Sequence, residues 1–175
     1  MIGLNYERRF SKRSSVVIGL NFEPKGSDYV FDSLTYKLRF NYLVLPIIYR
    51  GYSRSENVKA FYDAGFFLGR LLTAKFSEIN SGAGDDVFIN LNDSKYNIHH
   101  YDFGIALGFG LEYRKDKYQF ITGVRYNLGM VTVQPNDYYN TLGYYGFGSL
   151  NRSFNFYVTA AIDLQSIKRE KNQVK

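Results

Sequence analysis

Two adjacent histidines, close along the chain to an aspartate, are the first residues whose types could do chemistry. His99 and His100 precede Asp102, and imidazole and carboxylate groups are common zinc ligands. They open a segment that alternates like a β-strand, where neighbouring side chains point to opposite faces, so His99 and His100 cannot easily share one ion. Ser94 and these histidines show no order typical of a catalytic triad. We therefore predict no catalytic, cofactor-binding or metal site, and no cofactor.

A segment rich in glycine and aspartate resembles one copy of a calcium-binding nonapeptide repeat. It covers residues 81–89, with Asp85 and Asp86 as candidate oxygen donors. That repeat works by stacking successive copies, and this sequence contains one copy. We expect an ordinary loop at this position.

Four tyrosines form a candidate partner-binding loop within residues 134–151. Tyrosine offers a large contact area at a small cost in side-chain entropy, so such a loop could hold a glycan or a protein partner. The alternative is an aromatic belt that packs on itself at a membrane interface. The four residues are Tyr138, Tyr139, Tyr144 and Tyr145.

The composition favours β-strands as the elements that position these residues. Among 175 residues there are 17 Tyr, 15 Phe and 16 Gly, and Tyr and Phe are enriched in strands while glycine marks their ends. The sequence has no cysteine, which excludes disulfides, cysteine-ligated zinc and thiol catalysis. The net charge is +6, but no nucleic-acid-binding module accompanies it, so we expect no nucleic-acid partner.

Apolar and polar residues alternate with a period of two along most of the chain, which predicts strands with two distinct faces. In the clearest example, Phe103, Ile105 and Leu107 alternate with glycine and alanine. The same pattern predicts seven strands, at residues 2–10, 15–24, 34–52, 58–76, 96–113, 118–133 and 152–164. Short and long connections alternate between them, which is typical of an up-and-down barrel.

The large apolar side chains share one face of the predicted strands, and glycine, alanine and scattered charges share the other. The interior of a small barrel has no room for several large side chains per strand, and soluble monomers rarely expose a continuous apolar band. We therefore expect the apolar face to contact lipid. Most of the predicted strands also reach the roughly 9–11 residues that a bilayer requires. The alternative is a soluble, lipocalin-like barrel that binds a ligand.

The predicted fold class is thus all-β, an up-and-down antiparallel transmembrane β-barrel at residues 1–164, followed by a basic C-terminal tail at 165–175. Bacterial single-chain barrels have even strand numbers, whereas seven strands are predicted here. We therefore expect an eight-stranded type whose first strand, together with a signal peptide, lies upstream of Met1.

Charged residues on the inward face are expected to pair with one another, because an unpaired charge is costly in a barrel interior. We predict a network that plugs the lumen; the alternative is that several of these charges lie at the rims and are solvated. The predicted network contains Arg39, Asp63, Asp102 and Arg125, with Glu7, Glu23, Glu112 and Lys37 as further inward charges.

Four segments, in this order along the chain, resemble a known family. They lie at residues 41–49, 61–69, 101–113 and 123–129. Together they are similar to the outer-membrane β-barrel domain family of PorT-like proteins, which are small eight-stranded barrels of Gram-negative outer membranes. The resemblance implies integral outer-membrane location, and it implies secretion or gliding roles for some relatives.

We therefore expect an integral outer-membrane barrel with a narrow, charge-plugged lumen and a structural or accessory role in attachment or secretion, without enzymatic activity. The expected partners are outer-membrane lipid and a cell-envelope protein, and the barrel is expected to be monomeric. Two alternatives remain open, a narrow diffusion pore and the soluble lipocalin-like barrel.

Overall fold

The chain forms a single antiparallel β-sheet in the computed structural model, which describes residues 1–31, 34–55, 58–80, 87–90, 99–115, 117–132 and 150–163. Seven strands follow one another as a meander, in the order β1-β2-β3-β4-β6-β7-β8, and the short β5 pairs with β4. The strands are β1 (Ile2–Ser11), β2 (Ser14–Phe31), β3 (Leu34–Tyr52), β4 (Val58–Asn80), β5 (Val87–Asn90), β6 (Tyr101–Lys115), β7 (Tyr118–Thr132) and β8 (Leu150–Ile162). The predicted all-β, up-and-down architecture is confirmed.

The connections define two ends of the sheet. Residues 12–13, 53–57 and 116–117 join strands at one end, called here the short-turn end, and the other end is called the loop end. At the loop end β2 continues to Phe31 and β4 to Asn80, beyond the predicted limits of 24 and 76. The predicted long connection at residues 25–33 is therefore wrong, because β2 stays paired with β3 as far as Phe31 and Leu34.

The first strand, β1, and the last, β8, both run toward the short-turn end, because the chain reverses its direction an even number of times between them. Pairing between β1 and β8 would therefore be parallel, and none is present among the described residues. One strand of the opposite direction would pair antiparallel with both edges.

Buried and exposed residues alternate along the strands, but charged side chains are among the buried ones and large apolar side chains are exposed, which is the reverse of a soluble protein. On β6 and β7 the buried inward positions include Asp102, Glu112 and Arg125, whereas large apolar side chains are exposed on the outward face. A continuous outward apolar band is what lipid requires of a membrane-spanning barrel. Its members include Leu20, Ile47, Phe66, Leu68, Phe103, Leu107, Phe120, Phe154 and Phe156.

The loop-end half of β3 has the opposite phase to the prediction. Leu38 and Tyr42 are buried, whereas Arg39 is exposed. Beyond the apolar band the outward face meets headgroups and water, so the polar residues turn outward and the apolar residues fill the interior. A register shift opposite Asn41 and Tyr42 places Leu72 as an extra residue in β4, and at this bulge the inward residues of β4 change from odd-numbered to even-numbered.

Glycine permits close approach of neighbouring backbones inside the barrel. A Cβ atom at Gly104 would lie 2.0 Å from the carbonyl oxygen of Leu128 on β7, a separation that no side chain tolerates. At Gly69 the nearest atom would lie 3.5 Å away, which is ordinary contact. Across the described segments no helix has the length and hydropathy needed to cross a membrane.

Candidate functional site

The most distinctive feature of the interior is a group of buried ion pairs near the short-turn end. Three arginines face three carboxylates there, so the formal charges balance. We call this group the arginine network; its members are Arg9, Arg50, Arg125, Glu7, Asp63 and Glu112, with the hydroxyl groups of Tyr52 and Tyr157. Its members come from β1, β3, β4, β6, β7 and β8.

Asp63, which is 2% exposed, is the centre of this network. Its two carboxylate oxygens accept hydrogen bonds from Arg50, Nε to Oδ1 at 2.7 Å and Nη2 to Oδ2 at 2.9 Å. Arg125 Nη2 and the Tyr157 hydroxyl also donate to Oδ2, at 3.0 and 3.2 Å. This bidentate, charge-assisted geometry is the strongest kind of side-chain hydrogen bonding. Four donors from three other strands therefore converge on one carboxylate.

A second set of contacts extends the network to the first strand of the sheet. Arg9 on β1 donates to Glu112 on β6 at 2.6 Å and to Glu7 at 2.9 Å. The Tyr52 hydroxyl on β3 donates to Glu7 at 2.7 Å, and Arg50 Nη1 lies 3.8 Å from Glu7. Contacts between the first and fifth strands of the meander show that the sheet curls around its interior.

Aromatic rings cover the guanidinium groups of the network. Arg50 lies over the ring of Phe61, 4.0 Å from its centroid, and Arg125 lies over Tyr157 at 5.2 Å. Such stacking compensates part of the lost hydration of a buried cation. The network is thus enclosed as well as neutral.

An apolar layer lies on the loop-end side of the network. Along β3, β4 and β6 the inward positions between the arginine network and a second polar group nearer the loop end carry apolar side chains or glycine, and on β2 Val17 and Gly19 precede the buried Asn21. We call this the apolar layer, with members Val17, Val44, Ile48, Phe67 and Ala106, each less than 5% exposed. The layer is confined to these four strands, because on β7 the successive inward residues Arg125 and Asn127 are both polar.

A second polar group, called here the upper polar cluster, follows toward the loop end. Asn127 donates to both oxygens of Glu23 at 3.3 and 3.2 Å, and Asn151 donates to Asp102 at 2.6 Å. The Lys25 ammonium lies 3.7 Å from Glu23 and 3.9 Å from Asp102. These are ion-pair distances without the direct hydrogen bonds that characterise the arginine network. The two groups thus differ in how tightly they are connected.

The residues predicted for the lumen divide among three places. Asp63 and Arg125 pair directly in the arginine network, and Asp102 belongs to the upper polar cluster. The lumenal placement of Arg39 is wrong: its side chain is 49% exposed and pairs with Asp28 on the outward face. The reason is the phase of β3, which turns odd-numbered residues outward.

The other charged residues expected on the inward face also divide between the two faces. Glu7, Glu23 and Glu112 face inward, whereas Lys37 shares the outward face with Arg39. Sequence reasoning missed Arg50, which lies inward by alternation with Ile48 and Tyr52 but adjoins a predicted turn. The tyrosine loop (Tyr138, Tyr139, Tyr144 and Tyr145) lies outside the described residues.

The residues with potential chemistry are not assembled into a reaction site by the described segments. His99 and His100 are both exposed just before β6. Among the described residues, no group of three or more His, Cys, Asp or Glu side chains is placed to hold a metal ion. Asp63 is committed to four hydrogen bonds, which leaves it poorly suited to accept a substrate proton.

Comparison with known proteins gives one family. The sequence model of the family described as outer membrane protein beta-barrel domain matches residues 1–133. No curated protein and no solved structure matches the chain. The matched region contains β1 to β7, and therefore every member of the arginine network except Tyr157.

Proposed function

Because this chain belongs to the outer membrane protein beta-barrel domain family, we propose that it is an integral outer-membrane barrel whose interior is closed to ions and that acts as a structural or accessory protein. Membership of the family and the inverted burial pattern are consistent with each other. The single observation that carries the closed interior is the arginine network, backed by the apolar layer.

The energetics of the network favour a closed state. An ion that entered would have to displace paired charges, and separating a buried pair costs about 3–5 kcal/mol when one partner is left alone. Several such pairs share their partners, so the network opens only by breaking more than one contact. The apolar layer adds a second barrier, since dewetted constrictions exclude ions.

The proposal also includes the absence of catalysis. The interior carboxylates are engaged by arginines in the arginine network and by Lys25 and asparagines in the upper polar cluster, and the histidines are exposed. An accessory role in attachment or secretion then depends on surfaces rather than on the lumen. The resemblance to PorT-like proteins implies secretion or gliding roles for some relatives.

Conductance in planar bilayers tests the closed lumen. We expect the wild-type protein to show no conductance steps. In a background in which Asp63→Asn/Arg125→Gln loosens the arginine network, we expect the Ile48→Ala/Phe67→Ala variant, which removes two large side chains from the apolar layer, to conduct. The matched control is Ile47→Ala/Phe66→Ala, which makes the same changes at neighbouring positions on the lipid-facing side and should remain silent.

The outcomes separate the two candidate functions. Steady conductance of the wild-type protein would overturn the proposal in favour of a diffusion pore. Equal behaviour of the two double variants would show that the apolar layer is not the barrier.

A further inference from the structure

The outward face of the hairpin β2–β3 and of β4 changes character toward the loop end. Leu45 and Ile47 on β3 and Leu68 on β4 are exposed and apolar. Farther along β4, Arg70 and Leu72 are outward, and basic side chains follow on β3 and β4. A cationic group therefore lies beyond the lipid-facing band, toward the loop end.

Three cations form the centre of this group, called here the basic patch: Lys37, Arg39 and Lys75. Arg39 and Lys75 are partners across β3 and β4, so their Cβ atoms lie about 5 Å apart. Lys37 is the next outward residue on β3, about 7 Å from Arg39 along the strand. The patch therefore presents three positive side chains within the span of one lipid headgroup.

Among the side chains that the structure describes, one acidic residue, Asp28, accompanies the patch. It lies opposite Lys37 on β2 and forms an ion pair with Arg39. The hydrogen bond from Arg39 holds the pKa of Asp28 below its usual range, so Asp28 is ionised at neutral pH. Three cations and one carboxylate leave a net charge of +2.

Arg39 lies at the outer edge of the headgroup region, and Lys37 lies farther out. Arg39 lies four residues beyond Leu43, the last apolar outward residue of β3. That is about 13 Å along the strand, or roughly 9 Å of depth at a tilt near 45°. The headgroup region of one leaflet is roughly 5–8 Å thick, and long basic side chains reach back to it.

The orientation of the barrel decides which leaflet this is. In outer-membrane barrels the short turns face the periplasm and the elaborated end faces outward. The basic patch, at the loop end, then adjoins the outer leaflet.

We propose that the basic patch binds the phosphate group of an anionic lipid of the outer leaflet, whose acyl chains lie along the apolar band below it. Arginine matches phosphate with paired N–H donors, and lysine adds a point charge. The continuity of the patch with the apolar band distinguishes a lipid from a free phosphate, since a free ion gains nothing from that band. This inference uses the membrane placement and is independent of the closed lumen.

Native mass spectrometry of the full chain in detergent tests the proposal. The probes are dilauroyl phosphatidic acid, dilauroyl phosphatidylcholine and inorganic phosphate. We expect retention of phosphatidic acid, weaker retention of phosphatidylcholine, and none of inorganic phosphate. Each cation near a membrane surface contributes about fivefold, so Lys37→Gln/Arg39→Gln/Lys75→Gln should weaken phosphatidic acid binding roughly 100-fold.

Matched variants keep the result interpretable. Lys12→Gln/Arg13→Gln/Lys115→Gln removes the same charge from exposed positions at the short-turn end and should bind like the wild type. Asp28→Asn raises the charge of the patch and should tighten binding several-fold. If the triple variant of the patch does not fold, Lys75→Gln alone should still weaken binding about fivefold.

Two outcomes would overturn the proposal. Equal weakening by the two triple variants would show a general effect of net charge. Retention of inorganic phosphate to the same extent as phosphatidic acid would show an ion site rather than a lipid site.

Discussion

Asp63→Asn is the perturbation that the arginine network makes most informative. The substitution keeps the size of the side chain but removes its charge from beneath Arg50 and Arg125. The new amide nitrogen would also face guanidinium N–H donors, so two of the four hydrogen bonds to Asp63 could not form. We expect a large loss of stability with little change of fold.

The magnitude follows from the burial of the three groups. Breaking a buried pair by removing one partner costs about 3–5 kcal/mol, because the other charge stays buried without compensation. Glu7, 3.8 Å from Arg50, offsets part of this cost for Arg50, whereas Arg125 loses its only carboxylate partner among the described residues. With a urea dependence of about 2 kcal/mol per molar, the unfolding midpoint should fall by roughly 1.5–2.5 M.

The assay is urea unfolding in lipid vesicles, followed by circular dichroism and by the heat-dependent gel mobility of a folded barrel. Asp28→Asn is the matched control, since it makes the same substitution in an exposed ion pair and should leave the midpoint unchanged. In the Asp63→Asn background, Arg125→Gln should recover part of the loss, because it removes a cation without a partner. An unchanged midpoint for Asp63→Asn would refute the reasoning.

Two further predictions concern the two faces of the sheet, and the same unfolding assay measures both. Gly104→Ala should lower the free energy of unfolding by about 1–3 kcal/mol, because its Cβ would overlap the Leu128 carbonyl. The control, Gly69→Ala, should be tolerated, because its nearest contact would lie at 3.5 Å. Equal losses of stability for the two variants would contradict this difference in packing. Phe66→Arg, at the middle of the apolar band on β4, should cost about 2–4 kcal/mol. Ser77→Arg, outward on the same strand but beyond the band, should cost little, and the reverse order would exclude the proposed depth.

Much of the fold could be predicted from the alternation alone, because every outward position that contacts lipid favours an apolar side chain. On β6 the apolar residues Phe103 and Leu107 alternate with Asp102 and small residues, and the structure has the same two faces. This preference does not hold beyond the lipid-facing band. At Arg39 the outward surroundings are polar, so polar residues face outward and apolar residues face inward. A prediction that expects apolar residues to face outward along the whole strand therefore assigns Arg39 to the wrong face.

The ion pairs depend on properties that a sequence does not display. Alternation places Asp63 and Arg125 inward, but whether they meet depends on the tilt and curvature of the sheet, since 62 residues separate them. The role of Arg50 has the same origin, because its carboxylate partner lies on the neighbouring strand across a turn. The short β5 was missed because four residues carry too little alternation to indicate a strand.

Spin labels on β8 show directly whether the apolar face of the sheet contacts lipid and the polar face lines the interior. The chain has no cysteine, so single cysteines can be introduced and labelled one at a time along residues 154–159 in lipid vesicles. The account predicts high collision rates with oxygen, which concentrates in lipid, at Phe154, Phe156 and Val158, and low rates at Asn155, Tyr157 and Thr159. High accessibility to a water-soluble relaxation agent at Phe154, Phe156 and Val158 would contradict it.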